Sequence, residues 1–87
     1  MTESVTIEFF GIPRRLAGCA EAEVRAGSLR EILSELESRF PRLQIQIEGQ
    51  LAPHYRLSLE GESFISDPCT DIESGAHLIL LSADVGG

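Results

Sequence analysis

Alternating apolar and polar residues indicate two strands near the start of the chain. In residues 5–9, valine, isoleucine and phenylalanine alternate with threonine and glutamate. This is the two-residue period of a strand that is buried on one face. Residues 20–25 alternate in the same way, and their predicted buried face carries Ala20, Ala22 and Val24. The connection at residues 10–19 contains glycine, proline and one short helical turn, so the two runs predict an antiparallel hairpin with a long turn.

The next segment has the periodicity of a helix. Ser28 and Glu31 have the spacing of a capping box, in which each side chain bonds a free backbone N–H of the first turn. Pro41 ends the segment, because the residue before a proline avoids the helical region. The pattern therefore predicts a helix over residues 29–40, and the apolar residues on its inner face are Leu29, Ile32, Leu33, Leu36 and Phe40.

The second half of the chain predicts further strands. Residues 44–48 alternate, but the run is short and ends at a glycine, so segment 41–54 is either a strand or an irregular excursion. Residues 55–59 alternate clearly, and Phe64 and Ile65 can add a short edge piece. Residues 77–81 form the most apolar run and are bounded by turns. Such a run predicts a central strand that is buried on both faces and has neighbours on both sides.

This order of elements predicts a two-layer α+β domain. A mixed sheet of four to five strands carries one main helix on one face, with the last strand central and parallel to the first. The connections are long enough for the parallel crossover. Residues 1–81 form the predicted domain, and residues 82–87 form a flexible tail that ends in Gly-Gly.

Composition and charge exclude several classes of function. The chain has 87 residues and a net charge of −7, from 14 acidic and seven basic residues, all of the latter arginine. An acidic surface repels nucleic acids and anionic membranes. No apolar run approaches the roughly 20 residues of a membrane helix, and the N-terminus lacks the basic start of a secretion signal. We therefore expect a cytoplasmic protein with reduced thiols.

The chain carries no recognisable catalytic apparatus. His54 and His77 lack the spacing of metal ligands, and Cys19 and Cys69 are interpreted as unrelated free thiols. No glycine-rich phosphate loop joins a strand to a helix. We expect no metal, no bound cofactor and no catalysis by this chain alone.

The C-terminus carries the one unusual chemical feature. Gly86 and Gly87 follow the predicted central strand after a four-residue spacer. Two glycines have no side chains and wide backbone freedom, so they can pass through a channel that any Cβ would block. Such a terminus can deliver its own carboxylate, at Gly87, to a distant active site.

The ordered motifs of the chain resemble a known family. They are the strand Val-Thr-Ile-Glu-Phe-Phe, then Arg-Arg-Leu-Ala-Gly, the Ser28-capped helix ending Arg-Phe-Pro, the turn Leu-Glu-Gly-Glu and the terminal Val-Gly-Gly. In this order they resemble the MoaD/ThiS family of ubiquitin-like sulfur carriers over nearly the whole chain. The pattern is most similar to MoaD, the small subunit of molybdopterin synthase. It departs from that pattern at Ser58 and at residues 82–84.

The resemblance implies a β-grasp fold and a carrier function. It implies that an E1-like enzyme of the MoeB/ThiF type adenylates Gly87 with ATP. Sulfur transfer then gives a thiocarboxylate, which donates sulfur to a synthase such as the molybdopterin synthase large subunit. The nucleotide belongs to the partner enzyme, and the carrier itself binds no cofactor.

The partner enzymes need a surface to recognise. We expect this surface on the outer face of the sheet, with the tail completing it, from Phe10, Ile79, Leu81 and Val85. The alternative is that segment 41–54 covers these outer side chains.

Other functions share the same activation step. The carrier could serve thiamine, cysteine or a thiosugar instead of molybdopterin, or it could be a protein modifier whose Gly87 is joined to lysines of targets. A plain interaction domain with an accidental Gly-Gly end is the remaining alternative.

Overall fold

A computed structural model of the chain describes residues 3–83. Five strands form its main sheet: β1 at Ser4–Phe9, β2 at Glu21–Arg25, β6 at Tyr55–Leu59, β7 at Ser63–Ile65 and β9 at His77–Ser82. Their order across the sheet is β2-β1-β9-β6-β7. Strands β1 and β9 run parallel, and the other neighbours are antiparallel. The mixed sheet, the central last strand and the hairpin of the first two strands are confirmed.

The main helix, α2, spans Leu29–Arg39 and packs on the inner face of the sheet. Both bonds of the predicted capping box are present: the Glu31 N–H donates to Ser28 Oγ at 3.2 Å, and the Ser28 N–H donates to Glu31 Oε1 at 3.0 Å. The predicted inner residues of the helix are buried except Phe40, which lies just beyond its end and is half-buried. The ring of Phe40 contacts the edge of Phe9, with centroids 5.2 Å apart.

The hydrophobic core lies between α2 and the sheet. Most of its completely buried side chains come from alternate positions of the central strands and from one face of the helix: Val5, Ile7, Leu57, Leu78, Leu80, Leu29, Ile32, Leu33 and Leu36. Ile45 and Ala52 of segment 41–54 are completely buried as well. The alternating positions of the strands and the helical positions of α2, both predicted from the sequence, therefore contribute to the same core.

Shorter elements connect these layers. A small helix, α1, spans Ile12–Ala17 after β1. The two-residue strands β3, at Gly27–Ser28, and β8, at Asp71–Ile72, pair beside the start of α2. Ile72 is 3% exposed, so it fixes the preceding loop to the core.

Segment 41–54 is mostly irregular, which agrees with the irregular excursion that the sequence analysis offered as an alternative to a strand. A 3-10 turn at Pro41–Leu43 is followed by β4 at Gln46–Ile47 and β5 at Gln50–Leu51, which form a hairpin. The hairpin turn, Glu48-Gly49, has positive φ at both residues, as a tight primed turn requires. The 3-10 turn packs against α1 and α2, and β4 and β5 pack beside α2.

Two details of the predicted burial are wrong. Ala20 is exposed, because β2 begins one residue later and the chain there is still part of the connection. Strand β9 is buried on its inner face only, since Ile79 and Leu81 are half-buried. Among residues 3–83, one main helix covers the inner face of the sheet, and the outer face has no second layer over it.

Candidate functional site at the carboxyl ends of the central strands

The candidate site begins where the last strand ends. Because β1 and β9 are parallel, their carboxyl ends lie at the same end of the sheet, beside α1. There the Ala83 N–H donates a 2.9 Å hydrogen bond to the His54 carbonyl oxygen. Ser82, the first residue of the predicted tail at residues 82–87, thus belongs to β9 in the structure. Val85, Gly86 and Gly87 lie outside the described residues.

The position of Ala83 limits how far the terminal carboxylate can reach. Four residues follow Ala83. A fully extended chain gains at most about 3.3–3.6 Å per residue, so Gly87 can extend at most about 14 Å beyond the sheet.

The outer face of the sheet presents a row of apolar side chains near this end. Phe10 is 54% exposed, and Ile79 and Leu81 are half-buried. Ile79 and Leu81 thus lie on β9, and Phe10 directly follows the end of the adjacent β1. Segment 41–54, which packs on the helical side, does not bury Phe10.

The sequence analysis missed one member of this face. Phe64 is 60% exposed and lies opposite Ser58, which in turn lies opposite Ile79. Residues directly opposite on adjacent strands share a face, so Phe64 extends the row across the sheet. The sequence does show an aromatic residue in a short predicted edge strand, but only the register of β6 and β7 assigns Phe64 to the outer face. We call Phe10, Phe64, Ile79 and Leu81 the outer patch.

Charged residues around the outer patch are of both signs. The Arg56 guanidinium lies over the Phe64 ring, 5.4 Å from its centroid. On the same face, the ring Nε2 of His77 lies 3.0 Å from Glu8 Oε1, and the backbone N–H of His77 donates to Glu60 Oε2 at 3.1 Å. The outer patch is therefore bordered by one cation and by carboxylates, which limits the orientations in which a charged partner can dock.

The remaining candidate chemistry is dispersed. Among residues 3–83, no three His, Cys, Asp or Glu side chains lie close enough together to hold a metal ion. Cys19 is half-buried and Cys69 is exposed, and each is a free thiol. Within the same residues, no helix has the length and apolar character needed to cross a membrane.

Comparison with solved structures identifies the fold. Small archaeal modifier protein 1 from Methanosarcina acetivorans superimposes with a TM-score of 0.79 at 18% identity, covering 100% of this chain and 99% of that one. A putative molybdopterin converting factor, subunit 1, from Pyrococcus furiosus gives 0.76 at 16% identity, covering 93% and 98%. A chain of the BexX/CysO complex of Amycolatopsis orientalis gives 0.77 at 21% identity, covering 95% and 99%.

These similarities, together with the strand order, define the β-grasp fold of ubiquitin-like proteins. The predicted fold class is confirmed. No family model matches the sequence, and the comparison with curated proteins found no match.

Proposed function

We propose that this protein is a ubiquitin-like sulfur carrier whose functional group is the carboxylate of Gly87. The observation that carries the proposal is the position of the Gly-Gly end. It follows the central strand of a β-grasp sheet and begins three residues after the last described residue, Ala83. The finer proposal is a small subunit of the molybdopterin synthase type.

The chemistry requires activation by a partner. A carboxylate is a poor electrophile, so an E1-like enzyme first joins a Gly87 oxygen to the α-phosphorus of ATP and releases pyrophosphate. Hydrosulfide, as the sulfur donor, then attacks the acyl carbon and expels AMP, and loss of the S–H proton gives a thiocarboxylate, which is a strong sulfur nucleophile at neutral pH. In this scheme the partner supplies the catalysis and the ATP, and the carrier supplies a terminus that can reach the active site.

The outer patch supports the docking step of the proposal. Exposed apolar groups on adjacent strands are common in protein interaction sites, and a few central side chains usually carry most of the binding energy. We propose that Phe10, Ile79, Leu81 and Phe64 contact the activating enzyme and the sulfur-accepting synthase, while Val85 contacts the channel that receives the tail.

The names of two similar structures support the carrier function. One is called a molybdopterin converting factor subunit, and another is a chain of the BexX/CysO complex. Both share the fold of this chain over almost its whole length. The sulfur acceptor for this chain could therefore belong to molybdopterin biosynthesis or to another sulfur-containing product such as thiamine, cysteine or a thiosugar.

A second candidate function is protein modification. It is favoured by the structural similarity to small archaeal modifier protein 1. As a modifier, the chain would be joined through Gly87 to lysines of target proteins. It has no lysine of its own, so it could not form chains linked through its own lysine side chains.

The mass of the intact protein from its native cells tests the proposal. A thiocarboxylate raises the mass by the difference between sulfur and oxygen, and that increment should be confined to the C-terminal peptide. A variant that lacks Gly87 is the matched control and should show no increment. Isopeptide-linked conjugates without any thiocarboxylate would favour the modifier function, and an unmodified C-terminus with no conjugates would contradict both.

A further inference from the structure

The two edges of the five-stranded sheet differ in how their backbone groups are satisfied. At the β2 edge, side chains of α2 cover the strand. The Arg25 N–H donates to Glu35 Oε1 at 3.1 Å, and Arg39 Nη1 donates to the Glu23 carbonyl oxygen at 2.6 Å. Arg39 and Glu35 also form an ion pair at 3.3 Å. An incoming strand would have to displace these bonds, so the β2 edge is closed.

The β7 edge has no such cover. The Glu60 N–H bonds the His77 carbonyl and the Ala83 N–H bonds the His54 carbonyl, so even-numbered positions along β6 direct their polar backbone groups toward β9. The odd-numbered positions, Leu57 and Leu59, therefore direct theirs toward β7.

This alternation along β6 fixes the direction in which the backbone N–H and C=O of Phe64 point. Leu57 and Leu59 pair with Ile65 and Ser63. The N–H and C=O of the residue between them, Phe64, must then point away from the sheet. Neither group has a partner within residues 3–83. The β7 edge thus offers one donor and one acceptor from the same residue.

A pocket and a cation lie beside this free pair. The pocket has a volume of ≈ 230 Å³, and its lining includes Leu51, Pro53 and Ile65 as well as Arg56 and Phe64. On the outer face, the Arg56 guanidinium lies over the Phe64 ring and has no carboxylate partner among the described residues. The edge is therefore bordered by a recess with both apolar and polar lining residues and by the positive charge of Arg56.

We propose that β7 binds an extended segment of a protein partner as a sixth strand. Successive side chains of a strand point to opposite faces. The partner residue opposite Phe64 would then lie on the outer face and carry a carboxylate toward Arg56. The partner residue opposite Ile65 would lie on the inner face and place an apolar side chain in the pocket. The partner is thus an extended acidic-apolar segment, recognised by strand addition.

Random linear peptides displayed on phage provide the probe. Selection on the full chain should enrich peptides in which an acidic residue is next to an aliphatic or aromatic one. Binding of an enriched synthetic peptide is then compared between two variants at one position. Phe64→Ala keeps the edge N–H, whereas Phe64→Pro removes it, and proline is tolerated at an edge position whose N–H faces solvent. We expect Phe64→Pro to bind about tenfold more weakly than Phe64→Ala.

Hydrogen exchange of the unaltered protein gives an independent readout if the proline variant fails to fold. Saturation with the peptide should slow exchange of the Phe64 amide by about tenfold or more, because a bonded edge amide is protected. Arg56→Gln should weaken binding of the acidic peptide but not of the same peptide with glutamine in place of its acidic residue.

Several results would overturn the proposal. These are failure to enrich any peptide, equal binding by the alanine and proline variants, and exchange protection at β2 instead of β7. Self-association of the protein with protection of the Phe64 amide would also overturn it, because the occupant would then be a second copy of this chain.

Discussion

The backbone N–H of Ala83 donates a 2.9 Å hydrogen bond to the carbonyl oxygen of His54, the residue before β6. This bond holds the chain to the sheet one residue after β9 ends. It joins the start of the tail to the same end of the molecule as Phe10 and α1. Four residues follow Ala83 in the sequence, so we expect a partner that uses Gly87 to contact the surface around this bond.

Deletion of Gly87 should abolish activation without affecting folding. The residue lies four positions after the last described one, so its loss should change the free energy of unfolding by less than about 0.5 kcal/mol. Formation of the AMP adduct with the cognate activating enzyme and ATP measures activation. Removal of Met1 and Thr2 from the other terminus is the control and should leave adduct formation unchanged. Full activation of the Gly87 deletion would contradict the carrier function.

Charges placed in the outer patch should weaken partner binding more than folding. Phe10→Glu and Leu81→Glu each put a carboxylate on a face that no second layer covers. Each should weaken binding to the activating enzyme by about 2 kcal/mol or more, as loss of a buried apolar contact does, while the melting temperature changes little.

The control for the outer patch is Ser74→Glu, which adds the same charge at an exposed loop position. It should bind normally. Unfolding of Phe10→Glu would mean that this side chain is covered, and normal binding by the folded Phe10→Glu, Leu81→Glu double variant would place the docking surface elsewhere.

Leu33→Ala should destabilise the domain strongly. Leu33 is completely buried between α2 and the sheet. Its truncation leaves a cavity, which costs about 2–4 kcal/mol of unfolding free energy and is a large share of the stability of a small domain. The adjacent Ser34 is exposed, so Ser34→Ala should change stability by less than about 0.5 kcal/mol. Chemical denaturation of both variants compares them, and equal stabilities would refute the assigned helix face.

Alkaline pH should destabilise the protein through Tyr55. Its hydroxyl donates to the Leu43 carbonyl, and burial raises the pKa of Tyr55 above its ordinary value of 10.0. The folded state therefore holds this proton more tightly than the unfolded state. The stabilisation is complete below about pH 10 and is lost as pH rises through the folded pKa.

The chain has one tyrosine and no tryptophan, so tyrosinate absorbance reports Tyr55 alone. The absorbance should rise at higher pH in the folded protein than in denaturant. Tyr55→Phe should remove this component of the alkaline destabilisation, at a cost of about 1 kcal/mol at neutral pH for the lost hydrogen bond. Coincident titrations of folded and denatured protein would contradict the assignment.

Local patterns were enough to predict the elements that form the core. The Ser28 capping box, the apolar positions of α2 and the alternation in β1 are properties of neighbouring residues, and each appears in the structure as predicted. The apolar run of β9 also indicated its central position, because a strand in the middle of the sheet lies beneath the helix and buries its inner side chains. The terminal Gly-Gly can likewise be identified from the sequence without knowledge of the fold.

Only the tertiary structure decided which outer residues lie together and which edge is open. Phe64 joins the outer patch because β6 and β7 pair Ser58 with Phe64, and a shift of one residue would move Phe64 to the inner face. Arg39 closes the β2 edge because α2 crosses the sheet where its side chain reaches the Glu23 carbonyl. Both results depend on contacts between different elements, whereas periodicity within a segment reports only which face each residue takes.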